Sequence, residues 1–102
     1  MSKKPIACDL SVFNETERER HAYLAEHFQS DVLGKEETDD GFRFKYPASQ
    51  SHLERLILWI DMERRCCPFL DFKIEIKGNA ETCWVSLTGN DGVKEFLRET
   101  IN

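Results

Sequence analysis

Long apolar runs are absent from this sequence. No segment approaches the roughly 20 consecutive apolar residues that a membrane-spanning helix requires. The N-terminal segment contains the pair Lys3-Lys4, but no apolar stretch of the kind found in secretory signals follows it. We therefore expect a cytoplasmic protein without a membrane partner, whose four cysteines are reduced thiols rather than a disulfide framework.

A basic face is also missing. The net charge is −5, and lysines and arginines are scattered among aspartates and glutamates, with no basic run longer than a pair. Because neutralising nucleic-acid phosphates requires clustered positive charge, the sequence argues against a nucleic-acid partner. A nucleotide-binding loop, a Ser-His-Asp set and a zinc-protease helix are absent as well. No residue is therefore assigned a catalytic role, and the sequence favours a protein that is not an enzyme.

The residues that are present suffice for one hydrophobic core. The chain has 102 residues, of which 40% are apolar and 32% charged, and it includes seven Phe, two Trp and two Tyr. A chain of this size buries roughly 60–65% of the surface that it exposes when unfolded. No linker or low-complexity segment divides it. The sequence predicts a single domain over residues 1–102.

The first half of the sequence predicts a helix followed by a β-hairpin. Asn14, with Glu17 three residues later, is a variant of the capping box that starts helices. Residues 35–46 are divided by the turn signal Asp40-Gly41, and their polar first arm is typical of an edge strand. Residues 5–10 can add a short N-terminal strand.

The second half repeats this order and adds a final helix. Ser51 with Glu54 predicts the start of a second helix, and Pro68 predicts its end, because the residue before a proline is disfavoured in the α region. Its predicted buried stripe is Leu53, Leu56, Ile57 and Ile60. Alternation in residues 70–88 predicts one face directed at the helices, formed by Leu70, Phe72, Ile74, Ile76, Cys83, Val85 and Leu87. The last helix presents on one face Val93, Phe96, Leu97 and Ile101.

This order of elements predicts the fold class. Each hairpin has one apolar face, and the helices can cover both. We expect an α+β fold in the order α-β-β-α-β-β-α, a two-layer sandwich in which helices cover an antiparallel sheet of about four strands.

The vicinal pair Cys66-Cys67 is the most suggestive chemical feature. Adjacent side chains within a helix diverge by about 100°, but Pro68 forces Cys67 toward an extended conformation, so the two thiols can converge. Soft thiolates select soft ions such as Hg(II), Cu(I) and Zn(II). Arg64 and Arg65 are candidates to offset the thiolate charge. We therefore predict that Cys66 and Cys67 are metal ligands.

Cys8 is a candidate third ligand, provided that the N-terminal segment passes close to the end of the second helix. Three sulfurs suit Hg(II) or Cu(I), whereas structural Zn(II) requires a fourth ligand. Cys83 lies roughly 20 Å or more from Cys67 along the strands and is predicted to be a core residue. His52 lies about 21 Å from Cys66 along the same helix and is not a ligand candidate. The remaining histidines are predicted to be packing residues, namely His21 and His27.

Residues 63–72, Glu-Arg-Arg-Cys-Cys-Pro-Phe-Leu-Asp-Phe, resemble a motif in a family of small, uncharacterised bacterial proteins. Residues 87–89 and 92–97 are similar to that family's C-terminal signature, and Cys8 lies in a similar apolar-x-Cys-x-Leu opening. Related segments occur beside, or fused to, mercury-resistance-type (MerR-type) regulators, so the resemblance implies a heavy-metal or thiol-stress context. Cys83 has no counterpart in the family. The cysteines that match the motif positions are Cys8, Cys66 and Cys67.

Three functions remain open on the sequence. The first is the binding of a soft thiophilic metal through the vicinal cysteines. The second is a non-catalytic interaction domain with structural cysteines, since Cys67 continues the buried stripe of the second helix; a vicinal disulfide is a further alternative for the pair. The third is a thiol-dependent enzyme that acts on an electrophile or an organometallic compound, and it ranks last because no histidine lies within reach to act as the base. The oligomeric state is not predicted.

Overall fold

Three α-helices and four β-strands make up most of residues 8–101, the part of the chain that the computed structural model describes. None of these helices has the length and apolar character needed to cross a membrane. The elements in chain order are a 3-10 turn at Leu10–Val12, α1 at Glu15–Ser30, β1 at Gly34–Thr38, β2 at Gly41–Pro47, α2 at Gln50–Cys66, β3 at Asp71–Glu75, β4 at Thr82–Thr88 and α3 at Val93–Ile101.

The four strands form one antiparallel sheet in the order β1-β2-β4-β3. Burial alternates along β4 and, from Phe42 onward, along β2, so that one face of each central strand is buried beneath the helices. The polar strand β1 lies at an edge, as its composition predicts. The predicted α+β fold, with helices over a four-stranded antiparallel sheet, is therefore confirmed. The buried residues of the central strands are Phe42, Phe44, Tyr46, Cys83, Val85 and Leu87.

The predicted inward faces of the hairpins are correct, but two details of the hairpin predictions are wrong. Thr38 pairs with Gly41, so the turn residues are Asp39 and Asp40 rather than Asp40-Gly41. A Cβ at position 41 would collide with the carbonyl oxygen of Leu87, so glycine is required there by the close approach of two strands. Strand β3 ends at Glu75, and Ile76, predicted to face the helices, is 44% exposed.

Helix α1 begins as predicted and α2 does not. Asn14 accepts a hydrogen bond from the backbone N–H of Glu17, whose side chain accepts one from the backbone N–H of Asn14. In α2 the cap is Ser49, which accepts from the backbone N–H of His52, and Ser51 already lies within the helix.

The buried face of α2 also differs from the predicted stripe. Leu56 is buried, but Ile57 is 51% exposed, and Leu53 and Ile60 are only partly buried. The ring of Trp59 stacks on Phe28 of α1 with centroids 3.9 Å apart, which fixes the rotation of α2 against α1. The residues that α2 buries are Leu56, Trp59, Met62 and Cys66.

The start of the described chain is not the predicted strand. Residues 5–7 lie outside the described residues, and residues 8 and 9 lead into the 3-10 turn at Leu10–Val12, which the Asp9 side chain caps. The backbone N–H of Asp9 donates a 2.8 Å hydrogen bond to the carbonyl of Cys66, so this segment runs past the end of α2. At the other end of the chain, α3 buries Val93 and Leu97, and Phe96 packs partly against the core.

Candidate metal centre

Four side chains meet at the C-terminal end of α2. Each offers one donor atom, and these atoms all lie within 4.8 Å of one another. Two of the four residues are wholly buried and two are partly buried, so the group is largely shielded from solvent. We call this group the Cys3Glu cluster; its members are Cys8, Glu63, Cys66 and Cys67.

The end of α2 brings the vicinal thiols together. The N–H of Cys67 still donates to the Glu63 carbonyl at 2.7 Å, but the backbone of Cys67 has left the helical region, with φ −126° and ψ 68°. Pro68 imposes this change, because the α region is disfavoured before proline. The Sγ atoms of Cys66 and Cys67 are consequently 3.7 Å apart. The predicted convergence of the pair is confirmed.

Cys8 reaches the same place and is bonded to Cys67. The hydrogen bond from Asp9 to Cys66 carries the N-terminal segment across the helix end, and the Cα atoms of Cys8 and Cys67 are 4.8 Å apart. The two cysteines form a disulfide in this structure, within the Cα separation usual for such bonds. The expectation of four reduced thiols is wrong for this pair, because a contact between residues 59 positions apart in sequence is not visible in local pattern. Cys66 and Cys83 are free thiols, so the vicinal disulfide is not formed.

Glu63 is the member of the cluster that the sequence did not predict as a candidate ligand. Its Oε1 atom lies 3.4 Å from the Sγ of Cys67 and 3.8 Å from the Sγ of Cys8. Its Oε2 atom lies 3.9 Å from the Sγ of Cys66. Residues three and four apart share one face of a helix, so the spacing of Glu63 to Cys66 and Cys67 is the signal that could have found it.

His21 of α1 holds the carboxylate of Glu63 in place. Its Nε2 lies 2.8 Å from Oε2 of Glu63, with the two side chains only 15% and 12% exposed. The imidazole packs against the ring of Phe13, with centroids 5.3 Å apart. The sequence predicted His21 to be a packing residue, and the ring contact bears this out, but the pairing with Glu63 joins two helices and has no local signal.

The electrostatics of the cluster disfavour a thiolate while no metal is bound. Burial raises the pKa of the Cys66 thiol to about 12, and the negative charge of Glu63 adds to the rise. Arg65 opposes it only weakly.

The charge balance expected from Arg64 and Arg65 is reduced to the weak effect of Arg65, because both arginines have other carboxylate partners. Arg64 pairs with Asp61 at 3.1 Å, and Arg65 pairs with Glu17 at 3.2 Å while its guanidinium lies over the ring of Phe13. Both arginine side chains point to the surface, where their own carboxylate partners neutralise them.

The other candidates lie away from the cluster. Cys83 is a buried thiol on β4 that pairs across the sheet with Tyr46, in keeping with its predicted role in the core. His52 contacts Ser49, and its Nε2 lies 3.7 Å from Asp31, so it is not a ligand of the cluster either.

Comparisons of the chain with protein-family models, with curated proteins and with solved structures gave no match. The chemistry of the site is therefore argued from its own geometry. Three sulfurs and one carboxylate form a donor set for a soft ion, provided that the disulfide is open.

Proposed function

We propose that the reduced protein binds one soft metal ion through Cys8, Cys66 and Cys67. The observation that carries this proposal is the convergence of four donor atoms within 4.8 Å. Two thiolates that each lie about 2.3 Å from one ion are at most about 4.6 Å apart, and the 3.7 Å between Cys66 and Cys67 fits that limit.

The donor set supports a thiophilic ion. Three sulfurs match the preference of Hg(II) and Cu(I), and Zn(II) would complete four ligands by taking an oxygen of Glu63. The resemblance to the Cys-Cys-Pro-Phe-Leu family supports the same assignment, since it implies a heavy-metal context and includes Cys66 and Cys67 in residues 63–72 and Cys8 in the N-terminal segment.

The oxidation state of the cysteines decides whether the site is open. The Cys8–Cys67 disulfide uses two of the three sulfur ligands, and only Cys66 then remains a thiol in the cluster. Metal binding therefore requires reduction of this bond, and bound metal in turn protects both sulfurs from oxidation.

Thermal unfolding of the reduced protein tests the proposal once the reductant has been removed. A ligand that binds only the folded state raises its stability, so Hg(II) or Cu(I) should raise the melting temperature by about 10 °C when the free ion exceeds its Kd a hundredfold. Cys8→Ser, Cys66→Ser and Cys67→Ser should each reduce or abolish the rise. Cys83→Ser, in a thiol outside the cluster, is the matched control and should keep it.

Two results would contradict metal binding: an unchanged melting temperature when the free ion is varied over a wide concentration range, or the same loss of the rise in the Cys83→Ser protein. The oxidised protein should show no rise, which provides a second control without any substitution.

An interaction domain is the second candidate. Ile57 and Leu58 are 51% and 50% exposed on the outer side of α2, which is unusual for two adjacent aliphatic residues. An unchanged oligomeric state and unchanged metal binding in an Ile57→Ser, Leu58→Ser double variant would leave the cysteine cluster as the functional site.

A further inference from the structure

A cavity of about 210 Å³ lies against the Cys3Glu cluster. Cys8, His21 and Glu63 line one end of it. Cys66 and Cys67 have no exposed surface, so Cys8 and Glu63 are the members of the cluster that face the cavity. An ion that approaches through the cavity therefore meets these two residues first.

Apart from Gln29 and Thr100, the rest of the cavity wall is apolar. A bare metal ion with its thiolate ligands occupies the cysteine end alone and leaves this apolar space unfilled. An apolar cavity of about 150 Å³ is large enough to bind benzene, so this one has room for a phenyl ring. The wall residues come from all three helices and the sheet and include Ala25, Phe28, Trp59, Leu70, Leu87 and Phe96.

We infer that the site takes a soft metal ion that carries an aryl group, with the metal on the cysteines and the ring in the cavity. This inference rests on the proposed metal binding and adds the class of ligand. Phe28, Trp59 and Phe96 present aromatic surface to the cavity, and aromatic rings pack favourably edge-to-face or offset against one another.

The binding step is an exchange of thiols with no redox change. One cysteine thiol of the protein loses its proton and forms an S–Hg bond to phenylmercury, while the glutathione that carried phenylmercury leaves and takes up the proton. The Hg–C bond stays intact. Protein and glutathione both hold the ion through an S–Hg bond. The exchange constant therefore measures how much more tightly the protein binds the organomercurial than a simple thiol does.

The experiment compares phenylmercury with methylmercury, two monovalent ions that differ only in the organic group. Reduced protein competes with glutathione for each of them, and the exchange constants are measured by mass spectrometry under native conditions. We expect phenylmercury to be favoured over methylmercury by at least about tenfold, because the ring buries more apolar surface.

Two matched pairs of variants locate the ring. Ala25 lines the cavity and Ala22, one turn earlier on α1, is exposed and does not, so Ala25→Leu should reduce the preference and Ala22→Leu should retain it. Thr100 lies at the cavity rim and Glu99 does not line the cavity, so Thr100→Phe should reduce the preference for phenylmercury and Glu99→Phe should retain it. Both residues are exposed, so these substitutions have little effect on folding.

The outcomes separate this inference from the proposed function. Failure of both organomercurials and of Hg(II) to bind would overturn the metal site itself. Binding of both without a phenyl preference, or a preference that survives both Ala25→Leu and Thr100→Phe, would overturn the aryl inference and leave the metal site standing.

Discussion

The Glu63 carboxylate lies between sulfur atoms on one side and an imidazole on the other. Cys66 is the thiol of the cluster that can donate a hydrogen bond in the oxidised protein, because Cys8 and Cys67 carry no sulfur-bound hydrogen there. The carboxylate raises the cost of a thiolate in the metal-free site and becomes a favourable neighbour once a divalent ion is bound. His21 fixes its orientation from outside the cluster.

The substitution Glu63→Gln tests this role with little change of shape. Zn(II) needs a fourth ligand beyond three sulfurs, so its affinity should fall at least about tenfold, whereas Hg(II), which is satisfied by thiolates, should lose much less. Competition with a chromophoric chelator measures both affinities.

The matched control is Glu17→Gln, which removes a partly buried carboxylate that is paired with Arg65 outside the cluster, and it should leave both affinities unchanged. Equal losses for Zn(II) and Hg(II) in the Glu63→Gln protein would contradict ligation by the carboxylate.

Single residues also show which parts of the site the sequence could predict. Pro68 acts on its immediate neighbour, so the convergence of Cys66 and Cys67 follows from local chain geometry. Glu63 lies on the same helix face and could have been found from its spacing. His21 and Cys8 reach the cluster from 42 and 55 residues away from Glu63, and no local rule specifies such contacts.

At the level of elements, two serines near the start of α2 look equally suited to cap the helix in sequence, but one of them alone is the cap in the structure. Both are followed by polar residues within the next turn, but only Ser49 has the extended backbone and the hydrogen bond of a cap. Ser49→Ala should lower the free energy of unfolding by about 1 kcal/mol. Ser51→Ala should change it by less than about 0.5 kcal/mol, as for other exposed positions, and urea titration measures both.

A larger effect of Ser51→Ala than of Ser49→Ala would place the helix start where the sequence predicted it. The sequence fails here because the capping-box pattern of Ser51 and Glu54 describes side chains that can pair, whereas the chain leaves β2 at Pro47 and turns into the helix two residues earlier.

The rotation of α2 about its own axis, which decides the face that it buries, also could not be predicted from the local sequence pattern. Apolar residues occupy so much of its surface that two different stripes have helical spacing, one through Leu53 and Ile57 and the other through Trp59 and Met62. Contact of Trp59 with Phe28 of α1 decides between them. By contrast, the strict alternation in β4 admits one inward face, and its register was predicted correctly.

For the molecule as a whole, the bond between Cys8 and Cys67 is a constraint on the unfolded chain. It joins positions 59 residues apart in sequence, and closing a loop of that length stabilises the folded state by roughly 4 kcal/mol in the chain-entropy model. Reduction of the protein should lower the free energy of unfolding by about this amount. Chemical denaturation with and without reductant measures the difference.

Cys8→Ser should reproduce the loss in stability, and reduction should then have no further effect. A metal ion that bridges the two reduced sulfurs should restore part of it, since it closes the same loop. Stability that does not change on reduction would mean that the denatured chain is already compact near these residues.

The Cys8–Cys67 disulfide also changes the result of cleaving the backbone between these two residues. Residues 8–67 form a covalent ring, and the chain after Cys67 is a tail whose strand β4 lies beside β2 of the ring. A protease specific for acidic residues that cuts the exposed turn at Asp39 and Asp40 would open the ring without dividing the molecule. The two pieces would separate on a denaturing gel only after a reductant is added, so a single nick reports whether the ring is closed.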